Sequence, residues 1–239
     1  MTDEFYRIWV YLSTEPLLGL TVTLLAYQAG MWIYAKGNFN PLLNPVLIAV
    51  IVLVGLLMLT GTQYQTYFDG AKFVHFMLGP ATVALAVPLY SQFKKVKSTF
   101  PIIVASIIFG STTAALSAIG IAYVMGASKA TLLSLAPKSV TAPIAMGIAE
   151  AVGGVPSLTA VLVILTGIFG AVIGPGVLDL FRITDWRARG LAIGTTSHGI
   201  GTARALQVSE VAGAFASLAM GINGLATAIL LPILLGWLF

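Results

Sequence analysis

Two short stretches of this 239-residue chain carry side chains able to hold a small anion. In the first, Leu135–Glu150 (LAPKSVTAPIAMGIAE), Lys138 is followed by the hydroxyls of Ser139 and Thr141 and bracketed by Pro137 and Pro143. Each proline removes a backbone donor and crowds the carbonyl four residues earlier, so both are expected to break the helix. The chain between them then exposes carbonyls and amides beside a compact cation. A small carboxylate would meet a charge, hydroxyls and the positive end of a resuming helix in one place. The other reading is a merely kinked helix whose Lys138 reaches out to an interface. Glu150 follows Lys138 by twelve residues, too far for a helix-neighbour pair. It is either a buried proton acceptor or an interfacial residue beside Gly153-Gly154.

The second stretch reads GTTSHGIGTARAL from Gly194 to Leu206. Gly199 and Gly201 permit backbone conformations closed to other residues, and Thr195, Thr196, Ser197 and Thr202 supply hydroxyls. His198 is able to change protonation near neutral pH, which makes it the leading candidate for proton coupling, with Glu150 second. Arg204 keeps its charge and can grip a carboxylate with two parallel bonds. The substrate-binding candidates are therefore Lys138, Ser139, Thr141, Ser197, His198, Gly199, Gly201, Thr202 and Arg204. His75 lies near an interface and reads as structural.

Enzymatic chemistry finds no support. The chain has no Gly-x-Ser-x-Gly elbow, no His-Glu-x-x-His pair and no phosphate-binding Gly-x-x-x-x-Gly-Lys-Ser/Thr loop. Adjacent residues seldom point together, so Ser139 and Lys138 make a poor hydrolytic dyad. Cysteine is absent, which excludes disulfides, thiolate metal sites and thiol nucleophiles. No catalytic residue, metal or cofactor is expected.

The elements that must position these residues are membrane helices. The chain is 58% hydrophobic and 8% charged, with a mean hydropathy of +0.98; a soluble domain carries about 25% charged residues. Its apolar runs approach the ~20 residues that cross a hydrocarbon core as helix. Runs such as Val46–Leu59 lack the alternation of a β-barrel strand. The fold class is all-α, a single polytopic domain spanning residues 1–239. Eight hydrophobic segments fall at about 16–35, 42–60, 73–92, 100–125, 131–152, 157–180, 189–207 and 211–238. The acidic start, Met1-Thr2-Asp3-Glu4, is unlike a cleaved signal peptide, so the first helix is expected to be retained. Net charge is +4, but the basic residues sit in short loops, which reads as cytoplasmic loops and not as nucleic-acid binding.

Three segments are broken: the third by Leu78-Gly79-Pro80 and Pro88, the fifth by Pro137 and Pro143, the seventh by its glycines and hydroxyls. Lipid-facing helices do not carry such groups. A weak repeat links Leu78-x-Pro80-x-Thr82-Val83 with Leu135-x-Pro137-x-Ser139-Val140, 57 residues on. Pro101 and Pro156 are 55 apart, Pro175 and Pro232 57 apart. One broken segment plus one full span is the implied unit, a pattern common in secondary transporters. The basic clusters Lys94-Lys95-Lys97 and Arg182/Arg187/Arg189 should share the cytoplasmic face. Three full crossings between them would forbid that, so segment five is expected to dip in and return. Broken segments five and seven, with three as a further candidate, are expected to meet tip to tip near the midplane. Small residues at Ala212–Ala219, Gly221 and Gly224 suit close helix packing and self-association.

The two polar stretches carry a family resemblance. LAPKSVTAPIAMGIAEAVGGVPSLTAVLVILTGIFGAVIGP, followed by RARGLAIGTTSHGIGTARAL and EVAGAFASLAMGINGLATAIL, closely resembles the LrgB/CidB family. The resemblance covers essentially the whole chain and is densest from Leu132 to Leu231. It implies a multi-pass protein of the cytoplasmic (inner) membrane that acts with a small LrgA/CidA-type membrane partner. For bacterial members it implies holin-like or antiholin-like modulation of murein hydrolase activity and autolysis. For plant and other relatives it implies movement of glycolate, glycerate or pyruvate-like acids. A holin-type pore needs only amphipathic helices that oligomerise, whereas Lys138, His198 and Arg204 on broken segments suit a specific carboxylate site. The expectation is a secondary transporter of small monocarboxylates, with a regulatory, antiholin-like subunit as the alternative.

Overall fold

A computed structural model describes residues 16–40, 43–84 and 86–238. The acidic start at Met1–Glu4 and the side chains of His75, Pro88 and Lys95 lie outside the described residues. All regular structure among the described residues is helical, and the chain divides into two compact units, residues 1–84 and 85–239.

In the first unit α1 (Pro16–Lys36) packs against α2 (Pro45–Thr60) and α3 (Tyr64–Ala84). Asn44 caps α2 by accepting from the backbone amide of Val46 at 2.9 Å, and a left-handed Gly61 ends it. Gly19 lets α1 approach the backbone of α3 at Tyr67 and Ala71, and Thr23 and Tyr67 bond hydroxyl to hydroxyl at 2.7 Å beside it. Pro80 does not break its helix, because α3 runs through it to Ala84. A membrane helix tolerates proline where neighbours or local adjustment re-satisfy the freed carbonyl.

The second unit contains α4 (Ala86–Ser91), α5 (Phe93–Val124), α6 (Lys129–Leu135), α7 (Ala142–Val152), α8 (Pro156–Leu180), α9 (Trp186–Val208) and α10 (Glu210–Leu238). Four helices among the described residues are long and apolar enough to cross a membrane: Leu17–Lys36 in α1, Val96–Val124 in α5, α8 and α10. The eight segments read from sequence thus resolve into fewer full spans plus shorter pieces. The chain is a multi-pass helical membrane protein.

Helices α5 and α10 run the same way: Ile103 and Ile107 cluster with Phe215 and Ala219, then Ala115 and Ile119 with Leu231 and Leu235. Helix α8 runs against them, ending where Leu178 meets Ala212 near the start of α10. Between α5 and α8 the chain makes an excursion and returns. The Val155 amide donates to the Ser134 hydroxyl at 2.8 Å, and the Thr159 hydroxyl donates to the Ser134 carbonyl at 3.0 Å. Residues 135–154 therefore leave Ser134 and come back to it. Lys129, Leu133 and Val152 line one cleft with Pro232 and Leu235, at the C-terminal end of α10. At 1.5 Å per residue α7 reaches only about 16 Å, half a hydrocarbon core. Segment five is re-entrant, as the loop charges require. Only α5 and α8 cross between Lys94/Lys97 and Arg182/Arg187, so both basic clusters lie at one end.

Helix α9 is a second re-entrant hairpin. His198 sits at φ 40° and ψ −132°, far from helical values. A Cβ added to Gly201 would lie 3.2 Å from the carbonyl oxygen of Ile193, eight residues earlier. In a straight helix those positions are about 12 Å apart, so the chain has doubled back. Gly190 and Gly194 abut the carbonyls of Ala212 and Ala216, while on the returning half of the hairpin Leu206 abuts Gly213. Side chains at 190 and 194 would hold the outgoing half away from α10. This hairpin enters from the N-terminal end of α10, the opposite end from the α6–α7 hairpin.

Candidate functional site

The two hairpin tips meet at Asn223, midway along α10. Its amide nitrogen donates to the Ser139 carbonyl at 3.1 Å and to the Thr195 carbonyl at 3.0 Å. Ser139 lies in the turn between α6 and α7, and Thr195 in the last turn before the kink at His198, where the regular helical ladder is interrupted. Asn223 is 1% exposed, and its own oxygen accepts from Thr227 at 3.4 Å. One amide thus satisfies both broken segments at the depth where water cannot.

Each tip is held locally. Around Lys138 the chain turns through Lys138 N–H to Leu135 O (3.1 Å) and Val140 N–H to Pro137 O (3.3 Å). Pro137 is buried at this turn. Pro143 occupies the first turn of α7, where proline's fixed φ starts a helix instead of breaking one. Thr141 is the N-cap residue of that helix. At the other tip the Thr202 hydroxyl donates to the His198 carbonyl at 2.7 Å, and His198 Nε2 donates to the Val163 carbonyl of α8 at 2.9 Å. A carbonyl only accepts, so that bond fixes the proton on Nε2 of the neutral ring. Positive φ at a non-glycine residue costs of order 1–3 kcal/mol, and these two bonds are what hold it. Gly170 of α8 lies directly under Ser197, and a Cβ there would overlap the Ser197 hydroxyl.

Beside the tips a cavity of about 510 Å³ opens between α8, α9 and the Lys138 turn. Lys138, Ser139, Thr166, Thr196 and Ser197 line it together with apolar residues of α8 and α9. Lys138 Nζ donates to the Ser139 hydroxyl at 3.2 Å, and the hydroxyls of Thr196 and Ser197 are 3.1 Å apart. The arrangement offers one cation and a group of hydroxyls to a single anionic head.

Of the residues singled out from sequence, Lys138, Ser139 and Ser197 reach this cavity. His198, Gly201 and Thr202 are buried in the hairpin tip, and Gly199 lies beside Met220. Arg204 stands on the returning half of α9 and lines a separate cavity of about 140 Å³ with Trp186 and Arg189. Glu150 is exposed in the last turn of α7, next to the left-handed Gly153. Among the described residues no group of three or more His, Asp or Glu is placed to hold a metal. Sequence reasoning missed Asn223, Thr166 and Gly170. A lone Asn in the apolar run Glu210–Leu238 is a readable signal, since polar side chains inside membrane spans are rare and directed inward.

Known proteins match along nearly the whole chain. The YwbG protein of Bacillus subtilis (strain 168), itself uncharacterised, is 39% identical over 222 residues, 93% of this chain and 98% of its own. A holin-like protein CidB of Staphylococcus epidermidis is 33% identical over 221 residues, 92% of this chain and 96% of its own. An antiholin-like protein LrgB of Bacillus cereus is 32% identical over 222 residues, again 92% and 96%. No solved structure matches. The profile of the LrgB-like family covers residues 23–237, which takes in both re-entrant hairpins and every tip contact described above, and the chain belongs to that family.

Proposed function

We propose that this protein is a secondary transporter of small monocarboxylates of the glycolate, glycerate or pyruvate kind. The observation that carries the reading is the meeting of two re-entrant tips, entering from opposite ends of α10, beside a cavity that holds Lys138. Half-spanning helices that meet at mid-depth are the recurring binding device of secondary transporters. Each tip turns a helix N-terminus inward, at Ala142 and at Gly199, and these positive ends add to Lys138. The units α6–α7–α8 and α9–α10 each combine one hairpin with one span and run in opposite senses, which suits alternating exposure of a central site.

In this reading Lys138 binds the carboxylate and Ser139 and Ser197 bind its hydroxyl or keto oxygen. His198 is the candidate for proton coupling: a protonated ring would also donate from Nδ1. In this reading the start of α5 and the end of α8 face the cytoplasm from the cytoplasmic membrane, an orientation that the basic residues of their loops favour. A small LrgA/CidA-type membrane protein and further copies of this chain are the proposed partners within the bilayer.

The names of the CidB and LrgB relatives favour a second reading, a holin-like or antiholin-like protein; in that reading it would regulate murein hydrolase activity and autolysis without transport of its own. Uptake by purified protein in proteoliposomes, with and without the small partner, separates the two. The transporter reading expects saturable uptake of small hydroxy- and keto-acids, with an apparent KM that Lys138→Gln raises. Absence of saturable uptake across that panel in both preparations defeats it and leaves the regulator.

A further inference from the structure

We infer that Thr166 and Thr196 make the Lys138 cavity read the oxygen beside the carboxylate by its proton, favouring a 2-hydroxy acid over the 2-keto acid of the same skeleton. This rests on the transport reading above and deepens it by one chemical group. A hydroxyl has one hydrogen to donate and two lone pairs with which to accept. The bonds that each hydroxyl of the lining already makes therefore fix what it has left to offer. The Thr196 hydroxyl donates to the Ala192 carbonyl at 2.8 Å, so its hydrogen is spent. In its 3.1 Å contact with Ser197 it is then the Ser197 hydroxyl that donates, which spends that hydrogen too. The Thr166 hydroxyl donates to the Leu162 carbonyl at 2.7 Å. Three hydroxyls of the lining are left with lone pairs alone.

At Lys138 the polarity is reversed. An ammonium only donates, so the 3.2 Å bond from Lys138 Nζ to the Ser139 oxygen leaves the Ser139 hydrogen unused by it. Lys138 and Ser139 present donors, which suit a carboxylate. Thr166, Thr196 and Ser197 present acceptors, which suit a group that donates. Thr196 is exposed and Thr166 half-buried, so a ligand can reach both, whereas Ser197 is fully buried behind them. A carboxylate with a hydroxyl on the next carbon satisfies both sets. A keto oxygen in that place sets lone pairs against lone pairs. To donate to it, Thr166 or Thr196 must first give up the bond to its own helix, which offsets the gain.

The test is a competition series in proteoliposomes at pH 7.5, with and without the small partner, against whichever of labelled lactate and labelled pyruvate is taken up. The competitors are lactate, pyruvate, propanoate and methoxyacetate, which share one charge and a similar size. Lactate should bind about tenfold tighter than pyruvate, the order expected when an acceptor must face acceptors away from water. Methoxyacetate keeps a tetrahedral oxygen without its hydrogen and should fall with pyruvate. Propanoate has no such oxygen and should bind at least as well as those two. Thr166→Val should weaken lactate and spare pyruvate. Thr196→Val removes an acceptor and releases the Ser197 hydrogen, so it should weaken lactate, strengthen pyruvate and bring their ratio toward one, while Thr196→Ser keeps the ratio. The wild-type series decides the matter even where a valine variant fails to fold. Pyruvate or methoxyacetate binding as well as lactate overturns the inference and leaves the transporter standing, as does a preference that both valine variants retain. No saturable uptake of either labelled acid overturns both.

Discussion

The amide of Asn223 holds the Ser139 carbonyl at 3.1 Å and, with its second hydrogen, the Thr195 carbonyl at 3.0 Å. A single side chain thus couples tips that enter from opposite ends of α10. Asn223→Leu keeps the volume but leaves two buried carbonyls without donors, each a loss of about 1–3 kcal/mol. Thermal unfolding in detergent should show a large drop for Asn223→Leu and Asn223→Asp. Thr227→Ala, which removes only a 3.4 Å bond to the Asn223 oxygen, should change little. Equal melting of all three would show that Asn223 does not join the tips.

The close approach of α8 to the second tip gives a compensating pair. Gly170→Ala pushes a methyl into the Ser197 hydroxyl, and overpacking of this kind costs typically 1–3 kcal/mol. Ser197→Gly removes the obstructing atoms. The double variant should melt above Gly170→Ala alone, a sign of direct coupling between the positions. Additive losses would mean the two do not touch.

The hairpin topology can be read by labelling, since the chain has no native cysteine to interfere. Lys129→Cys and Ala151→Cys sit at the base of the first hairpin and should react with an impermeant thiol reagent from one side of the membrane. Arg182→Cys and Thr184→Cys, in the loop between α8 and α9, should react from the other. A split between positions 129 and 151 would turn the first hairpin into a full crossing.

Much of this topology is legible in the sequence. Pro137 and Pro143 inside apolar sequence mark the first broken segment, and the shared sign of the Lys94 and Arg182 loops requires it to return. The second segment is legible as polar and glycine-broken, but its sharp reversal is not. No proline marks it, and the turn depends on His198 adopting a positive φ held by Thr202 and by Val163 of a different helix. Which residues share a cavity is equally hidden. Lys138 and Arg204 look alike as cations in sequence, yet a doubled-back hairpin carries residue 204 toward its base near Trp186. Prolines mislead in the other direction: Pro101, Pro175 and Pro232 sit inside continuous helices, as Pro80 does.

The loop at the base of the second hairpin has its own pH dependence. Arg187 Nε and Nη2 bond the Asp185 carboxylate, which also accepts from the Arg187 amide at 2.8 Å to cap α9. The Arg187 side-chain hydrogen bond is the main cause that holds the Asp185 pKa down at about 2. A depressed folded-state pKa contributes stability above the unfolded value near 4, and the contribution is lost as pH falls from about 4 toward 2. The pair is solvent-exposed, so its share is small and salt-sensitive. Asp185→Asn should flatten that acid limb in a melting-versus-pH series while changing stability at pH 7 only slightly, because Asn also caps helices. An unchanged acid limb would assign the loss to other carboxylates.

Placing the two cations in different cavities makes the sharpest functional prediction. Lys138 lines the large cavity beside both tips, whereas Arg204 lines the small one with Arg189, whose guanidinium is already engaged by Asp179 at 2.6 Å. If the carboxylate binds Lys138, replacing that charge with Gln removes a charge-assisted bond, a loss of roughly 1.5–3 kcal/mol, or about ten- to a hundredfold in apparent KM. Lys138→Arg keeps the charge but spreads it over a planar group that does not reproduce the compact ammonium beside the Ser139 hydroxyl, so it should recover only part of the affinity. Arg204→Gln should leave apparent KM near the wild-type value and act, if at all, on maximal rate or on melting temperature. The opposite ranking, with Arg204 controlling affinity and Lys138 silent, would move the binding site from the tip of the second hairpin to its base.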